Sequence, residues 1–341
     1  MGHSLGFICA FLLGSTAAIA QQVPDTEFHF ANANPAYPQG SGPQVCMDGA
    51  HHNFHTLEGR YLAFGRLLRE DGYQVRELSE SFSREVLDAC KVVVIAGAAD
   101  ESNTSGQAFP HASAFSKEEL NVLMAWIHDG GSLLLIADHP PYAGAAFALA
   151  TMLGFDVLDG YAGSSLQSPT SAMIFGDLDE EVVRKSAEAL GAPAERFRQL
   201  LGDPGKLGSH AILAGRNERE RITSVATFTG CAFHPSTRIQ PLLILGPKAG
   251  GAVNIGQNLQ GAQPDDIPLF SLGGWLQGGA LRFGRGRVVM LGEAAMCSAQ
   301  RAGPQHTPMG MNIPLASQNP QFCLNIVHWL SGVLEPPEPQ Q

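Results

Sequence analysis

The sequence predicts an α/β protein with a doubly wound, mostly parallel sheet and an inserted helical cap region. From residue 44 onward, short apolar runs alternate with amphipathic helical patterns, as in parallel strands joined by helices. Two of these runs, KVVVIA at 91–96 and SLLLIA at 132–137, are apolar throughout, which is typical of strands buried on both faces. Between residues 156 and 220 this rhythm is lost, and charged helical stretches stand between glycines and prolines. This region is predicted to be the inserted cap.

The predicted elements follow one another in regular order. Strands are predicted over residues 45–47, 73–78, 91–96, 132–137, 222–228, 240–245 and 287–291. Helices are predicted over residues 57–71, 82–89, 116–129, 144–153 and 319–332. The third of these helices begins with Ser116-Lys117-Glu118-Glu119, a capping-box pattern in which Ser116 and Glu119 each accept a hydrogen bond from the other's backbone N–H.

The beginning of the chain has the features of an export signal. An apolar run, GFICAFLLGSTAAIA, leads to the small residues Ala18-Ile19-Ala20, and residues 1–20 are therefore predicted as a signal peptide. The same stretch includes GHSLG, which has the spacing of a serine hydrolase elbow, but no strand precedes Ser4. We expect an exported protein, periplasmic or extracellular. No later run reaches the roughly 18 to 20 apolar residues that a membrane span needs.

The rest of the chain is predicted as one domain with two flanking segments. Residues 21–43 are rich in Pro, Gly, Asn and Gln, which indicates an extended leader. The single α/β domain is expected over 44–334, with its insertion at about 156–220. The Pro-rich residues 335–341 are predicted to be a flexible tail.

Composition indicates a globular, acidic protein. The 341 residues are 44% hydrophobic and 16% charged, with a formal net charge of -11. No basic stripe is present to bind phosphates, so nucleic acid is not expected as a partner. No glycine-rich stretch has the strand-to-helix context of a dinucleotide site, so no nucleotide cofactor is predicted. Five cysteines outside the signal leave two alternatives open: one or two disulfides with a free thiol, or separate buried thiols.

Imidazole and carboxylate groups gather after the first predicted strand. Asp48 ends that strand, and His51 and His55 follow it. If residues 49–56 begin a helix, the two histidines lie at i and i+4 on one face, a spacing that presents two imidazoles to one metal ion. Such a shell suits Zn²⁺, Mn²⁺ or Fe²⁺ better than Ca²⁺. The alternatives are a metal-free polar pocket and a structural hydrogen-bond network.

Further polar groups follow two later strands. In an open parallel sheet, ligands bind at the carboxyl ends of the strands. Asp138 and His139 come directly after SLLLIA, and Pro140-Pro141 stiffens the turn that follows them. Glu293 follows the strand over 287–291. We predict Asp138 and His139 as catalytic residues that complete the metal shell or act as general base. Glu293 is predicted as an acid or a partner of these groups, with a helix N-terminal acid as the alternative.

Several stretches resemble the class I glutamine amidotransferase-like fold, a flavodoxin-like architecture, and within it bacterial domains of unknown function. They are CMDGAHHNFHTLEGRY, VVVIAG followed by FSKEELNVLMAWIHDGGSLLLIADH, GRGRVVMLGEAAMCSAQ, and NPQFCLNIVHWL. The resemblance implies the fold and a site at the carboxyl edge of the sheet. True amidotransferases carry a nucleophilic cysteine at the elbow after the strand that corresponds to SLLLIA. Asp138-His139 stands there instead, so the resemblance does not imply glutamine hydrolysis by a thiol.

The leading functional hypothesis is an exported hydrolase of a small ester, lactone, amide or sugar-derived substrate, with a divalent metal ion as its expected cofactor. The first alternative is a non-catalytic small-molecule or carbohydrate-binding domain, with Tyr61, Tyr142 or Trp275 as stacking residues. The second alternative is a metal-independent esterase, which includes a serine esterase using Ser4.

Overall fold

The computed structural model describes residues 22–104, 110–253 and 268–334. The predicted signal with Ser4 and the predicted tail lie outside these residues. Strands are β1 (Gln22–Pro24), β2 (Gln44–Asp48), β3 (Gln74–Leu78), β4 (Val92–Ala96), β5 (Ser132–Ile136), β6 (Asp156–Val157), β7 (Gly160–Gly163), β8 (Met173–Gly176), β9 (Lys206–Leu207), β10 (Ser224–Thr227), β11 (Phe233–His234), β12 (Gln240–Ile244), β13 (Gly250–Val253), β14 (Leu269–Ser271), β15 (Leu276–Phe283), β16 (Gly286–Leu291), β17 (Ala299–Ala302) and β18 (Thr307–Gly310).

Helices are α1 (Leu62–Glu70), α2 (Arg84–Asp88), α3 (Glu101–Thr104), α4 (Lys117–His128), α5 (Tyr142–Leu153), α6 (Glu180–Ala189), α7 (Ala194–Leu201), α8 (Ala211–Ala214) and α9 (Asn319–Ser331). The seven strands and five helices predicted in order from the sequence all have counterparts here, with ends that differ by a few residues. In the described parts of the chain, no helix has the length and apolar character needed to cross a membrane.

The main sheet has ten strands and confirms an α/β protein. Its order is β3-β2-β4-β5-β16-β15-β11-β6, with β12 paired to β15 and β9 paired to β12. The strands from β3 to β16 run parallel, whereas β15, β12 and β11 are joined by antiparallel pairings. The sheet is therefore mixed, and the mostly parallel sheet predicted from the sequence describes only its first five strands.

Strand β15 was missed by sequence reasoning because glycines interrupt it. Gly278 and Gly279 lie in its middle and indicate a turn when they are considered alone. Both are needed for packing: an added Cβ would lie 2.9 Å from the side chain of Leu243 at Gly278 and 2.6 Å from that of Ile239 at Gly279. Close approach of neighbouring side chains, rather than a turn, explains this glycine pair.

The two faces of β4 pack against different helices. Val92 and Val94 belong to the apolar core that contains α1 and α9, whereas Val93 and Ile95 belong to the core that contains α4 and α5. All of β4 and β5 is buried. Each aliphatic side chain fully buried in this way contributes about 1.5–3 kcal/mol, so the continuous apolar runs fix these strands at the centre of the sheet.

The predicted capping box of α4 is present. The Ser116 hydroxyl accepts the Glu119 N–H at 3.2 Å, and the Glu119 carboxylate accepts the Ser116 N–H at 3.0 Å. A cap of this kind contributes about 1 kcal/mol, and it fixes the position of Glu119 at the start of the helix.

The helix that the histidine spacing suggested over residues 49–56 is wrong. This segment has no helical turn because its backbone bonds to the chain that follows β4. Phe54 N–H donates to the Gly97 carbonyl at 2.9 Å, and Ala99 N–H donates to the His51 carbonyl at 2.9 Å. These bonds satisfy the backbone outside a helix, and His51 and His55 consequently do not share a helix face.

The predicted leader lies along the surface of the domain. Strand β1 pairs with β17, and the buried carboxylate of Asp71 accepts hydrogen bonds from the Asn32 amide at 2.7 Å and the Ala36 N–H at 2.9 Å. Phe28, Phe30 and Tyr37 also pack against the apolar core. These contacts come from separated points, which explains why residues 22–43 show no hydrophobic periodicity.

The predicted cap over 156–220 combines helices with strands. Strand β6 pairs with β11 in the main sheet, β7 pairs with β13, and β8 pairs with β10. Helices α6 and α7 share a separate small apolar core with residues 313–316. The insertion is therefore joined to the domain through its strands as well as through its helices.

Of the described cysteines, four form disulfides. Cys46 at β2 is bonded to Cys90 after α2, and Cys297 is bonded to Cys323 in α9. Cys231 is free and buried. The first of the two alternatives for the cysteines, disulfides with one free thiol, is therefore confirmed.

Candidate active site

The predicted site residues follow strands that end at one edge of the sheet. β2, β4, β5 and β16 are parallel, so their carboxyl ends meet there. The chain crosses from β3 on one side of β2 to β4 on its other side, and a reversal of strand order opens a crevice at this edge in sheets of this kind. Asp48, Asp138 and Glu293 lie at or just after the ends of β2, β5 and β16, and all three are buried.

Asp138 forms a sharp elbow between β5 and α5, which we define as residues 137–141. Its φ angle is +59°, in the left-handed region that few residues other than glycine adopt and that aspartate tolerates best along with asparagine. The side chain is 4% exposed, and its Oδ1 accepts the N–H of His139 at 2.8 Å. The elbow thus holds a buried carboxyl group at the edge of the sheet.

The pKa values of the buried carboxyls of Asp138 and Glu293 are both raised. Burial raises the pKa of Asp138, while the charges of His139 and Arg60 and the His139 N–H oppose that rise. Burial also raises the pKa of Glu293 well above its ordinary value, and the charge of Asp138 adds to this. Because each negative charge disfavours the other, the pair resists losing both protons.

Glu293 has a second, structural role. Its Oε1 accepts the Ala295 N–H at 2.7 Å and its Oε2 accepts the Met296 N–H at 2.8 Å, so it caps the 3-10 turn over residues 295–297. Tyr61, fully buried, donates from its hydroxyl to the Ala294 carbonyl at 2.9 Å. The Glu293 carboxyl is therefore held by the backbone that follows β16. The ring of Tyr61 has no exposed face for the ligand stacking that the sequence had suggested.

His139 lies on the half-buried side of the elbow. Its Nδ1 donates to the Pro140 carbonyl at 2.8 Å, which leaves Nε2 as the proton acceptor of the neutral ring. The ring stacks on Tyr161 with a centroid distance of 5.7 Å and an interplanar angle of 20°, and it contacts Tyr142 at 5.7 Å. Burial, then the charges of Asp138 and Asp159, raise the pKa of Tyr161 to about 12.

Asp48 and His51 belong to a three-residue ion-pair network. His51 Nδ1 lies 2.9 Å from Asp48 Oδ1, and His51 Nε2 lies 2.8 Å from Glu119 Oε1. The ring is flanked by Phe82 and Phe115 at 4.7 and 4.8 Å. Burial lowers the pKa of His51, but the bonds to Asp48 and Glu119 outweigh it and the pKa is raised. His51 links the loop after β2 to the cap of α4.

His55 lies in a different environment. It is buried, its ring is 4.7 Å from that of Tyr61, and its Nδ1 has no hydrogen-bond partner. Burial lowers the pKa of His55 well below its ordinary value, with further contributions from Arg60 and His139. The imidazole is therefore neutral beside the elbow.

The predicted metal shell of Asp48, His51 and His55 does not fit a metal ion in this arrangement. Both ring nitrogens of His51 face carboxylates, so neither has a lone pair free for a ligand bond. Within residues 22–104, 110–253 and 268–334, no group of three or more His, Cys, Asp or Glu side chains is placed to hold a metal. Asp48, His51 and Glu119 form a hydrogen-bonded network instead.

Sequence reasoning did not identify two other polar features near the elbow. Arg60 lies close enough to Asp138 for its charge to lower that residue's pKa. His111 Nδ1 lies 2.6 Å from Asp159 Oδ2, and both pack against Gly144 in α5. No local pattern marks either feature, because their partners are far apart in sequence.

Cys231 does not have the surroundings of a reactive thiol. It is fully buried, and burial followed by the charges of Asp138 and Asp159 raises its pKa well above the ordinary value. His234 is exposed, bonds to the Pro235 carbonyl and contacts Trp275. Cys231 is therefore held as a thiol, whereas a cysteine nucleophile needs the thiolate.

Comparison with known proteins gives a likeness of fold. No protein-family model and no curated protein matches the chain. Solved structures similar to it include the mmIFT52 N-terminal domain, with 13% identity, 84% of this chain and 97% of that chain covered, and a TM-score of 0.49. A ThuA-like protein from Bacteroides uniformis has 12% identity, coverages of 89% and 94%, and a TM-score of 0.42. A GMP synthase-like protein from Thermoplasma acidophilum has 9% identity, coverages of 84% and 97%, and a TM-score of 0.37. These values assign neither a family nor an activity.

Proposed function

We propose that this protein is a hydrolase of a small ester, lactone, amide or sugar-derived substrate, with Asp138 at the centre of its catalytic site. The observation that most supports this is the left-handed backbone of Asp138 directly after β5. Hydrolases with a nucleophile elbow use a sharp strand-to-helix turn to present the reactive side chain above the sheet. Strained backbone at such a turn is kept where function needs it.

The two coupled carboxyls divide the acid–base roles. Burial raises the pKa of both carboxyls, and the charge of Asp138 raises that of Glu293 as well; we propose that the two groups keep one proton and that Asp138 is the member that ionises. An ionised Asp138 with a raised pKa is an effective general base for a water molecule that attacks the substrate carbonyl or acetal carbon. Glu293 contacts backbone rather than substrate, and we assign it the role of a positioning residue.

His139 is the proposed proton-transfer group beside Asp138. Its Nδ1–H is committed to the Pro140 carbonyl, and its Nε2 lone pair is left to exchange a proton with water or with the leaving group. An imidazole is well suited to this role because one of its ring nitrogens can donate a proton while the other accepts one. We assign Asp48 and His51 to structure, because the ion pairs of His51 use both of its ring nitrogens, and the proposed reaction therefore contains no metal step.

We also propose that the protein is exported and that its sheet belongs to the amidotransferase-like, doubly wound class. Two disulfides support export, since disulfides persist in oxidising compartments. The parallel order β3-β2-β4-β5-β16, with helices against both faces, supports the fold class. Secretion of the full-length chain from a bacterial host, with N-terminal sequencing of the product, tests the predicted cleavage after Ala20.

The test of the hydrolase is a substrate panel with matched variants. Purified protein is assayed against p-nitrophenyl acetate, a γ-lactone, an aryl amide and a p-nitrophenyl glycoside. We expect turnover of at least one compound to fall about 100-fold or more in Asp138→Asn and His139→Ala, the range typical of a lost general base or acid. Asp156→Asn, which alters an exposed carboxylate in β6, is the control and should match the wild type. Undiminished turnover in Asp138→Asn would refute the assignment.

A second candidate is a non-catalytic binding domain. The observation that favours it is the group of aromatic rings at the elbow, where His139 contacts both Tyr142 and Tyr161 and no cysteine directly follows β5. Under this alternative, the wild type turns over no compound of the panel but binds one of them. Trp275, the third stacking residue proposed from the sequence, contacts His234 instead.

A further inference from the structure

Arg60 is a half-buried cation with no ion-pair partner among the described residues. Its Nη1 donates to the Phe54 carbonyl at 2.9 Å, and its Nε donates to the Gln22 side-chain oxygen at 3.2 Å. Both acceptors are neutral. Among the residues that the structure describes, no carboxylate oxygen lies within 4.0 Å of a guanidinium nitrogen of Arg60, the distance that defines an ion pair. Two neutral acceptors leave most of the five guanidinium N–H groups free for another partner.

Arg60 lies against Phe54, whose ring is 5.1 Å from that of Tyr142 at the start of α5. Its carbon Cζ lies 3.6 Å from the centroid of the Phe54 ring. Its charge lowers the pKa of Asp138 and that of His55, and the nearby Tyr142 and Asp138 in turn oppose the lowering of its own pKa by burial. Arg60 is therefore close to the proposed catalytic carboxyl without being neutralised by direct contact with it.

A partly desolvated guanidinium in this position is suited to a carboxylate. Its planar fork matches the two oxygens of a carboxylate in a bidentate pair. Removing a cation from water is costly unless a counter-charge replaces the lost hydration, and a bound anion would supply that charge.

The rings around Arg60 indicate the rest of the ligand. The Phe54 and Tyr142 rings lie 5.1 Å apart, and His139 is stacked on Tyr161. Phe54, Tyr142, His139 and Tyr161 are all partly exposed. Aromatic faces of this kind pack against planar rings and against the apolar faces of sugars.

We propose that Arg60 is the anion-binding residue of this site and that its ligand carries a carboxylate next to a ring. In terms of the proposed function, which this inference deepens, the substrate is a ring-containing acid whose carboxylate pairs with Arg60. Its ester, lactone, amide or glycosidic bond then lies at Asp138. Gln22 is a positioning residue, because its side chain holds Nε of Arg60.

The experiment compares charged and uncharged probes of the same shape. Benzoate is paired with benzamide, and D-glucuronate with D-glucose, and each is titrated into the full protein and followed by ligand-observed NMR at pH 7. We expect at least one acid to bind the wild type about 10-fold or more tightly than its uncharged counterpart, as for a charge-assisted pair. Arg60→Met should remove this preference.

Two further variants make the test specific. Gln22→Glu leaves Arg60 in place but adds a carboxylate at Nε, and it should weaken acid binding about 10-fold as an internal competitor. Gln22→Glu replaces Arg60→Met as the test if circular dichroism shows that Arg60→Met does not fold. Arg66→Met is the matched control, because Arg66 is also half-buried and also contacts the leader, at the Thr26 carbonyl. It should bind like the wild type.

The outcomes separate this inference from the proposed function. No acid binding by the wild type, or equal acid binding by Arg60→Met, overturns the role of Arg60. Acid binding that depends on Arg60, together with no turnover in the substrate panel, supports the anion site and refutes the hydrolase. Turnover in the substrate panel, together with acid binding that Arg60→Met leaves unchanged, supports the hydrolase and refutes the anion site.

Discussion

Replacing Asp138 with asparagine should change how the stability of the protein depends on pH. Asparagine keeps an acceptor for the His139 N–H and tolerates the left-handed backbone, so the change removes one ionisable group with little other perturbation. In the wild type, folding raises the pKa of Asp138 above its ordinary 3.8 and that of Glu293 well above its ordinary 4.5. As pH rises through this range, the unfolded chain loses these protons before the folded chain does.

The magnitude follows from proton linkage. While the folded state holds one proton more than the unfolded state, the free energy of unfolding falls by about 1.4 kcal/mol for each pH unit. Two such carboxyls give a limiting slope of about 2.7 kcal/mol per pH unit in the wild type, and one gives about 1.4 in the variant. The charge of Asp138 also raises the pKa of Glu293. Asp138→Asn therefore narrows the pH range over which Glu293 keeps its proton in the folded protein and loses it in the unfolded chain.

The assay is urea unfolding followed by tryptophan fluorescence from pH 4 to pH 8 at constant ionic strength, without reducing agent. Asp138→Asn should gain stability relative to the wild type as pH rises above about 4, where aspartate ordinarily ionises. Asp156→Asn, with its exposed carboxylate, should give a curve parallel to that of the wild type. If the Asp138→Asn curve is also parallel to the wild type, folding does not raise the pKa of this carboxyl and the electrostatic description of the elbow is wrong.

Three further predictions concern the scaffold of the site. His51→Ala should cost about 3 kcal/mol at pH 6, since it leaves the buried carboxylate of Asp48 without its ion-pair partner. Because folding raises the pKa of His51 above 6.5, this cost should shrink as pH rises past 6.5, and an unchanged cost at pH 9 would contradict the ion pairs. Cys46→Ala with Cys90→Ala opens a loop with a sequence separation of 44 and should lower the free energy of unfolding by about 4 kcal/mol, measured by denaturant titration. Gly144→Ala brings a Cβ within 2.4 Å of the Asp159 carboxylate and should lower the melting temperature measured by calorimetry. An unchanged melting temperature would show that the Asp159 side chain moves aside without loss of stability.

The elbow shows how far local pattern reasoning reached. SLLLIA followed by Asp138-His139 located a polar turn after a buried strand, because strand hydrophobicity and proline stiffening are local properties. The left-handed backbone of Asp138 and the effect of its charge on Glu293 could not be predicted from the sequence, since they depend on where β16 lies relative to β5. The histidines after β2 show the opposite outcome: their helical spacing was the local signal, and backbone bonds to the chain after β4 prevented the helix.

The amino-acid sequence by itself determined the alternation of strands and helices, the central buried strands, the α4 cap and the edge at which polar groups collect. These follow from hydrophobic period and from hydrogen bonds between near neighbours in the chain. Only the tertiary structure decided that His51 bridges Asp48 to Glu119, that Cys46 meets Cys90, and that Arg60 bonds to Gln22. Each of these joins residues distant in sequence, and their pairing energy depends on burial and distance that only the packed chain provides.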